Sequence, residues 1–164
     1  MAEGARTWRV EEVPVERILD LRWAVLRPGR ARETASFGGD SDEGTHHFAL
    51  IEGGEEEVGT SATPLTCLTL LASTWDGQPA WQLRGMATAG GQQGRGWGRR
   101  LLAGVSAWIL DQPAERAPRI LWCNARSSAI PFYEACGWRV ASAPFEIEGI
   151  GSHVRMVLVL NERR

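Results

Sequence analysis

Residues 89–100, AGGQQGRGWGRR, constrain this chain more than any other stretch, because five of the twelve are glycine. Glycine adopts backbone conformations that other residues avoid, and it lets a ligand approach the main-chain amides closely. The apolar residues that follow, within 101–109, recur at helical spacing and predict an amphipathic helix. A glycine-rich turn that opens a helix presents free N–H groups and the positive end of the helix dipole, which together favour an anion.

The charge around this turn also favours an anionic ligand. The chain has a formal net charge of −2, yet residues 77–110 contain no Asp or Glu and hold Arg84, Arg95, Arg99 and Arg100. We therefore predict a phosphate or pyrophosphate site. The glycine spacing, G-x-G-x-G, differs from the dinucleotide fingerprint, and no acid follows about 20 residues on to bind a ribose. A mobile turn with a solvated arginine fringe remains the alternative.

The composition excludes several kinds of chemistry. All 18 basic residues are Arg, which excludes a Walker-A phosphate loop and a Schiff-base lysine. The three Cys and three His lack the spacing of metal ligands, so we expect no metal. The net charge gives no general attraction to nucleic acid or to an anionic membrane. No stretch approaches the roughly 18 apolar residues of a membrane span, and unpaired cysteines are typical of a reducing compartment, so we expect a cytoplasmic protein.

The alternation of strand and helix patterns predicts one α/β (α+β) domain over residues 1–164 with a mixed sheet. Asp76-Gly77 is a hairpin signal. Loops are predicted at 29–45 and 144–152. Predicted strands cover 7–13, 47–51, 58–72, 80–88, 119–123, 138–140 and 154–160, and predicted helices cover 15–26, the segment from 99 to near 113, and 127–135.

Two motifs resemble the signatures of the GCN5-related N-acetyltransferase (GNAT) family. Residues 93–98, QGRGWG, are similar to that family's pyrophosphate-binding signature, Arg/Gln-x-x-Gly-x-Gly/Ala. Residues 129–138, AIPFYEACGW, are similar to its second signature, A-I-x-x-Y/F-Y-E-x-x-G-F/W. Between them lie the predicted helix, strand and helix in the family's order. With the strand WQLRGMAT at 81–88, which is similar to the family's fourth strand, the resemblance covers about residues 15–160.

The resemblance implies a mostly antiparallel, twisted sheet of about six to seven strands, flanked by about four helices. Its fourth and fifth strands are expected to form a splayed parallel pair. It also implies an enzyme in which a primary amine attacks acetyl-CoA directly. Tyr133, the single tyrosine of the chain, occupies the general-acid position, where a phenol can give a proton to the departing CoA thiolate.

The resemblance places the acetyl-CoA site on the fourth strand and the glycine-rich turn. A backbone N–H of that strand is expected to polarise the thioester carbonyl, which is oxyanion-hole chemistry. The predicted cofactor-binding residues are Met86, Ala87, Thr88, Gln93, Gly94, Arg95, Gly96, Trp97, Gly98, Arg99, Asn124 and Arg126.

The chain departs from the family pattern at two places. Where the family often has Asn, seven residues before the tyrosine, this chain has Arg126, and Asn124 offers an equivalent contact. Many members place a Glu on the fourth strand as general base, but residues 80–88 hold no carboxylate. His153 is the first candidate for the base, and loss of the amine proton to solvent is the alternative. The further candidates are Glu146, Glu148, His46 and His47.

The acceptor is expected to be a small-molecule or peptide amine, selected by the loops at 29–45 and 144–152 and by residues 58–75. Acids in the first loop, among them Asp40, Asp42 and Glu43, either attract a cationic amine or are solvated surface. An exposed final strand would allow a homodimer. Two other functions stay open: an acyl-CoA sensor of the same fold without turnover, and a nucleotide or phosphate binder that uses the same turn.

Overall fold

The computed structural model describes residues 6–53 and 62–161, which form one mixed sheet and three α-helices within those ranges. The strands pair in the order β1-β2-β3-β4-β5-β8-β6, and β7 also pairs with β8. The strands are β1 (Trp8–Glu12), β2 (His46–Glu52), β3 (Pro64–Trp75), β4 (Gln78–Thr88), β5 (Ile120–Arg126), β6 (Arg139–Val140), β7 (Phe145–Ile147) and β8 (Gly151–Val159). The helices are α1 (Leu19–Leu26), α2 (Trp97–Asp111) and α3 (Ile130–Ala135), with 3-10 turns at Val15–Arg17, Arg32–Ala35 and Ser127–Ala129.

The parallel contact between β4 and β5 is short. Its register joins Trp81 to Leu121 and Gln82 to Trp122, after which β4 continues to Thr88 beside β3. The strands β1 and β2, and β8 with each of its neighbours, are antiparallel. The expected mixed sheet with a splayed parallel pair is therefore confirmed.

The element counts differ slightly from the expectation. The sheet of the described residues has eight strands instead of six or seven. β6 lies within the predicted strand 138–140, whereas β7, with three residues, is too short to show a period. The segment 144–152, predicted as a loop, thus contains β7. The described residues have three α-helices instead of about four. Two of the predicted helices begin with a 3-10 turn, at Val15–Arg17 and Ser127–Ala129, and the third 3-10 turn, Arg32–Ala35, lies in the predicted loop 29–45. The predicted strand residues 58–61 lie outside the described residues, and β3 begins at Pro64.

The final strand is not at an edge of the sheet. β8 pairs with β5 on one side and with β6 and β7 on the other. The expectation that an exposed final strand could pair with a second chain is therefore wrong, because β6 and β7 already occupy that side.

The chain divides into two compact units, of which the first combines the residues up to Thr69 with Gly85–Val105. Its core joins the apolar face of α1 to the buried ends of β2, β3 and β4. β2 is an almost continuous apolar run, which suits a strand buried on both faces. The buried residues of this core are Val13, Ile18, Ala49, Ile51, Cys67 and Ala87.

The second unit combines Leu70–Arg84 with the residues from Ser106 onward. The β3–β4 turn lies here, and Asp76 and Gly77 have φ of 48° and 75°, as an Asp-Gly hairpin turn of type I′ requires. One face of the β5–β8 pair is buried, with Cys123 opposite Met156 and Ala125 opposite Val154. No helix in the described ranges is long and apolar enough to cross a membrane.

Helix α2 approaches β1 so closely that only glycine fits at one helical position. A Cβ atom on Gly104 would lie 2.5 Å from Cγ2 of Val10. We expect Gly104→Ala to lower stability by about 1–3 kcal/mol through overpacking, although alanine favours a helix over glycine by about 1 kcal/mol. Urea unfolding measures the change. The pair Gly104→Ala with Val10→Ala should recover most of the loss, and an equal loss in both variants would contradict the close contact.

Candidate active site

The glycine-rich turn forms an open cradle, a name used here for residues 89–100. Gly91, Gly94 and Gly96 have φ of 77°, 75° and 81°, a region that side-chain-bearing residues seldom adopt. A Cβ atom on any of the three would meet nothing within 4 Å. The space beside these glycines is therefore open, so a ligand can approach the backbone amides.

The cradle leads directly into α2. The Arg100 N–H donates to the Gly96 carbonyl at 3.0 Å, which closes the first helical turn. The N–H groups that precede this bond in an α-helix have no intrahelical acceptor and carry the positive end of the dipole. Trp97 fixes the helix start, because its ring lies 4.7 Å from that of Trp8 on β1. Gly98 follows within the first helical turn.

The arginines of the cradle are exposed, whereas its Gln93 bonds back to the protein. Arg95, Arg99 and Arg100 are exposed, so their guanidinium groups can reach an anion without first leaving a buried pair. Gln93 instead donates from Nε2 to the Thr88 carbonyl at 3.4 Å, which ties the turn back to the end of β4. Arg84 lies within β4. The donor set, amides plus arginine, fits the phosphates of a CoA thioester.

The end of β4 supplies backbone groups next to the cradle. Gly85 has φ of 62°, which bends the strand just before Met86. Ala87 is 3% exposed and lies in the first unit's core, whereas Met86 and Thr88 are half-buried. The Thr88 hydroxyl donates to that of Thr66 at 3.2 Å. Because of this bend, Met86–Thr88 do not continue the direction of the preceding β4 residues.

Tyr133, on α3 in the second unit, lies in an aromatic cluster. Its ring makes edge-to-face contacts with Phe132 and Trp138, at centroid distances of 5.1 and 5.2 Å, and the residue is 7% exposed. Burial raises the pKa of Tyr133 well above its ordinary value of 10, and the neighbouring Cys123 thiol, which shares a hydrogen bond with it, acts in the same direction. Burial likewise raises the pKa of Cys123 to about 12. The phenol is therefore neutral and carries its proton.

Asn124 and Arg126 lie on the opposite face of β5 from Cys123. Both side chains are exposed, whereas Cys123 and Ala125 between them are buried. Because side chains alternate along a strand, Asn124 and Arg126 share one face and the Tyr133 contact belongs to the other. The side chains of Asn124 and Arg126 therefore point away from the face of β5 that contacts Tyr133.

His153, the candidate base, lies near the start of β8, opposite Arg126 and Phe145. It is 4% exposed, and its Nδ1 lies 2.7 Å from the Gly151 carbonyl. A carbonyl only accepts, so Nδ1 carries the hydrogen and the neutral ring keeps its lone pair on Nε2. The Phe145 ring stacks on the imidazole at 6.1 Å. The ring is thus oriented, with Nε2 as the basic nitrogen.

The other base candidates are placed less favourably. Both ring nitrogens of His47 are engaged, Nδ1 with the Thr69 hydroxyl at 2.8 Å and Nε2 with the Asp40 carbonyl at 3.0 Å. His46 Nδ1 is paired with Glu12 at 2.6 Å. Glu146 and Glu148, like Asp42 and Glu43, are exposed.

Asp40 is neither solvated surface nor a free carboxylate for a cationic acceptor. It is 8% exposed and forms an ion pair with Arg22, whose Nη1 lies 2.7 Å from Oδ2. The sequence does contain a signal for Arg22, because it lies on the apolar face of α1, four residues after Ile18. It contains one for Gly85 too, since an isolated glycine in a strand indicates a bend. Within the described ranges, no group of three or more His, Cys, Asp or Glu could hold a metal ion.

The chain is similar to known proteins in both sequence and fold. The sequence model of the acetyltransferase (GNAT) domain matches residues 71–160. The uncharacterized N-acetyltransferase YitI of Bacillus subtilis (strain 168) is 30% identical over 155 residues, which cover 94% of this chain and 98% of YitI. A Lactobacillus plantarum structure assigned as an N-acetyltransferase has a TM-score of 0.71 at 24% identity, covering 96% of this chain and all of that one. An aminoglycoside 6'-N-acetyltransferase solved with coenzyme A has a TM-score of 0.66 at 11% identity, with 95% and 99% covered.

Replacing a cradle glycine tests whether the cradle binds phosphate. We expect Gly96→Val to weaken acetyl-CoA binding by at least about tenfold, because valine is strained at a φ of 81° and its side chain enters the ligand's space. Isothermal titration calorimetry measures the dissociation constant. Gly90→Ala is the matched control, since Gly90 also faces open space but lacks a left-handed φ. Equal affinities in Gly96→Val and the wild type would rule out the cradle as the binding site.

Proposed function

Because this chain belongs to the GNAT acetyltransferase family, we propose that it transfers the acetyl group of acetyl-CoA to a primary amine by direct attack. As a family member it is an acyl-CoA-dependent N-acyltransferase. The observation that carries the acetyl-CoA proposal is the cradle, where left-handed glycines with open space lie beside three exposed arginines at a helix start.

The cradle residues suit the anionic part of CoA. Pyrophosphate oxygens accept hydrogen bonds from the amides around Gly94 and Gly96 and from those that open α2. Arg95 and Arg99 add charge-assisted contacts. Asn124 and Arg126, on the exposed face of β5, remain the further candidates for contact with the cofactor. Because the phosphates are held mainly by backbone, side-chain variants outside the cradle should leave this part of the binding free energy unchanged.

The chemical step forms one bond and breaks another. The amine nitrogen attacks the thioester carbonyl carbon, and the carbonyl oxygen gains negative charge that a backbone N–H among Met86, Ala87 and Thr88 stabilises. The intermediate collapses, the C–S bond breaks and the electron pair leaves on sulfur. Tyr133 gives its phenolic proton to that thiolate. The nitrogen loses a proton, so acetyl-CoA and an amine become an amide and the free thiol.

The raised pKa of Tyr133 decides how it can act. A thiol has a pKa of about 8.5, below that of the phenol, so complete transfer from Tyr133 to the thiolate is uphill. The tyrosine must therefore regain a proton within the same turnover, from the amine nitrogen or from solvent. It serves as a relay that starts and ends protonated.

His153 is the proposed acceptor of the amine proton. Its Nε2 is the basic nitrogen, because Nδ1 is committed to the Gly151 carbonyl. Direct loss of the amine proton to solvent is the alternative, and the absence of a carboxylate from residues 80–88 keeps both routes open.

That same absence favours one second function, an acyl-CoA sensor without turnover. A screen of small amines and peptide N-termini, with thiol release as the readout, distinguishes the two. Thiol release that depends on the amine supports the transferase. Binding of acetyl-CoA without release in the whole panel supports the sensor.

The partners and location follow from the same proposal. The acceptor is a small-molecule or peptide amine, and a homodimer stays a prediction without the strand pairing first expected for it. No disulfide joins Cys67, Cys123 and Cys136, all of which lie in the described residues, and this suits the reducing cytoplasm.

Removal of one oxygen atom tests the role of Tyr133. We expect Tyr133→Phe to lower kcat by about 100-fold, the scale of general acid catalysis, and to change the acetyl-CoA dissociation constant by less than about twofold. The ring contacts with Phe132 and Trp138 do not involve the hydroxyl, so the fold should persist. Steady-state kinetics and calorimetry measure the two quantities. An unchanged kcat would remove Tyr133 from the mechanism.

The raised pKa of Tyr133 predicts the pH dependence of the rate. The active phenol is the protonated form, which a raised pKa preserves to higher pH, so kcat should not fall up to about pH 10. Instead, kcat should rise with pH as the amine substrate loses its proton. If His153 accepts that proton, His153→Gln lowers kcat at every pH on the rising limb, whereas loss to solvent leaves kcat unchanged. A falling limb below pH 9 that disappears in Tyr133→Phe would contradict the raised pKa.

A further inference from the structure

A fully buried arginine lies in the first unit, where no proposed catalytic step uses it. Arg22 of α1 has an exposed fraction of zero. Its Nη1 and Nη2 donate to the two Asp40 carboxylate oxygens at 2.7 and 3.1 Å. Nη2 also donates to the Thr69 hydroxyl at 2.6 Å, and Nη1 to the Ala35 carbonyl at 3.2 Å. A single guanidinium thus links α1, β3 and the loop that contains Asp40.

Four residues, Arg22, Thr69, His47 and Asp40, form a ring of hydrogen bonds that closes through the Asp40 main-chain carbonyl. Arg22 only donates, so the Thr69 oxygen accepts from it, and the same oxygen is hydrogen-bonded to His47 Nδ1 at 2.8 Å. His47 Nε2 faces the Asp40 carbonyl, which only accepts, so Nε2 carries the hydrogen. The Asp40 carboxylate also accepts the Phe37 N–H at 2.8 Å. The loop segment 36–40 is therefore held at both its backbone and its carboxylate.

The same guanidinium lies against the bend of β4. A Cβ atom on Gly85 would lie 3.0 Å from Arg22 Nε and 3.2 Å from Phe37 Cε2. Arg22 Cζ lies 4.4 Å from the centroid of the Phe37 ring. The Cys67 thiol donates to the Gly85 carbonyl at 3.6 Å. Arg22 and Phe37 thus form the surface on which β4 turns immediately before Met86.

A buried ion pair is a poor source of net stability. Removing two charges from water costs free energy that their attraction repays only in part, so an apolar pair of similar volume is often as stable. What the pair does provide is direction, because the forked guanidinium fixes the positions of all its acceptors at once. The function of the ring is therefore better sought in geometry than in stability.

We propose that Arg22 and Asp40 are positioning residues, which hold segment 36–40 against Gly85 and thereby fix the course of Met86–Thr88 for polarising the thioester carbonyl. The proposal rests on the proposed function, since it assigns a role within the same reaction. A misplacement of about 1 Å at a reacting centre can cost about 100-fold in rate. The cradle binds the phosphates with other residues, so the effect should fall on kcat and leave acetyl-CoA affinity unchanged.

The test replaces both charges together, which avoids leaving one buried charge unpaired. We expect the double variant Arg22→Gln, Asp40→Asn to lower kcat by at least about tenfold, with the acetyl-CoA dissociation constant within about twofold of the wild type. The reaction is followed by thiol release with the best amine from the screen. Amide hydrogen exchange should accelerate in residues 36–40 and 85–88, and not in 151–159.

The chain offers a matched control pair. Arg32 and Asp20 form an ion pair at 2.7 Å between the same α1 and the 3-10 turn Arg32–Ala35, but their side chains are 51% and 80% exposed. Arg32→Gln with Asp20→Asn removes the same charges from the surface and should leave kcat and hydrogen exchange at 85–88 unchanged.

A second variant covers the case in which the double variant does not fold. Thr69→Val is nearly isosteric and breaks the ring between Arg22 and His47 while leaving the ion pair. It should lower kcat by about threefold or more at unchanged acetyl-CoA affinity. If the double variant folds and its kcat and hydrogen exchange equal those of the wild type, the positioning role is wrong. If only Thr69→Val folds, the same result in that variant overturns the role. If the wild type releases no thiol with any amine, the proposed function fails, and exchange at 85–88 alone decides whether Arg22 holds the bend.

Discussion

The left-handed glycines are the constraint on which the rest of the candidate site depends. Gly85 lets β4 bend where Arg22 and Phe37 occupy the volume a side chain would need. Gly94 and Gly96 then turn the chain into α2 with open space on the ligand side. At Gly85 the neighbouring side chains leave no room for a Cβ atom, whereas at Gly94 and Gly96 the positive φ disfavours any other residue. The backbone therefore turns twice, first at Gly85 immediately before Met86 and then at the start of α2.

The two units handle buried polar groups in opposite ways. In the first, both Nη atoms of Arg22 donate to buried acceptors on Asp40 and Thr69. In the second, burial raises the pKa of both the Tyr133 phenol and the Cys123 thiol, so two neutral acids share a hydrogen bond. Charge that could meet a phosphate is left at the surface, on the cradle arginines. Buried groups therefore fix geometry or hold a proton, while exposed ones are available for binding.

Local patterns were enough to predict the elements that carry the motifs. The strand before the cradle, the helix after it, the Asp76-Gly77 turn and the parallel pair were all expected, because each depends on nearby residues or on a family resemblance. β7 was not, since a strand of three residues shows no period. Arg22 and Asp40 are 18 residues apart, and Asp40 comes from a polar, glycine-rich loop typical of solvated surface. Only tertiary structure could pair them.

Under the proposed direct attack, the absence of a carboxylate from residues 80–88 affects which amines react. An amine that reaches the thioester without a base must already be neutral, because an ammonium group has no lone pair. An α-amino group has a pKa of about 8 and an alkylamine about 10.4, so at neutral pH the neutral fraction differs by more than 100-fold. Tyr133 does not remove this difference, since its raised pKa makes it a donor and not an acceptor in the resting enzyme. Proton acceptance by His153 would reduce the difference, whereas loss to solvent would leave it as a selectivity for amines of low pKa.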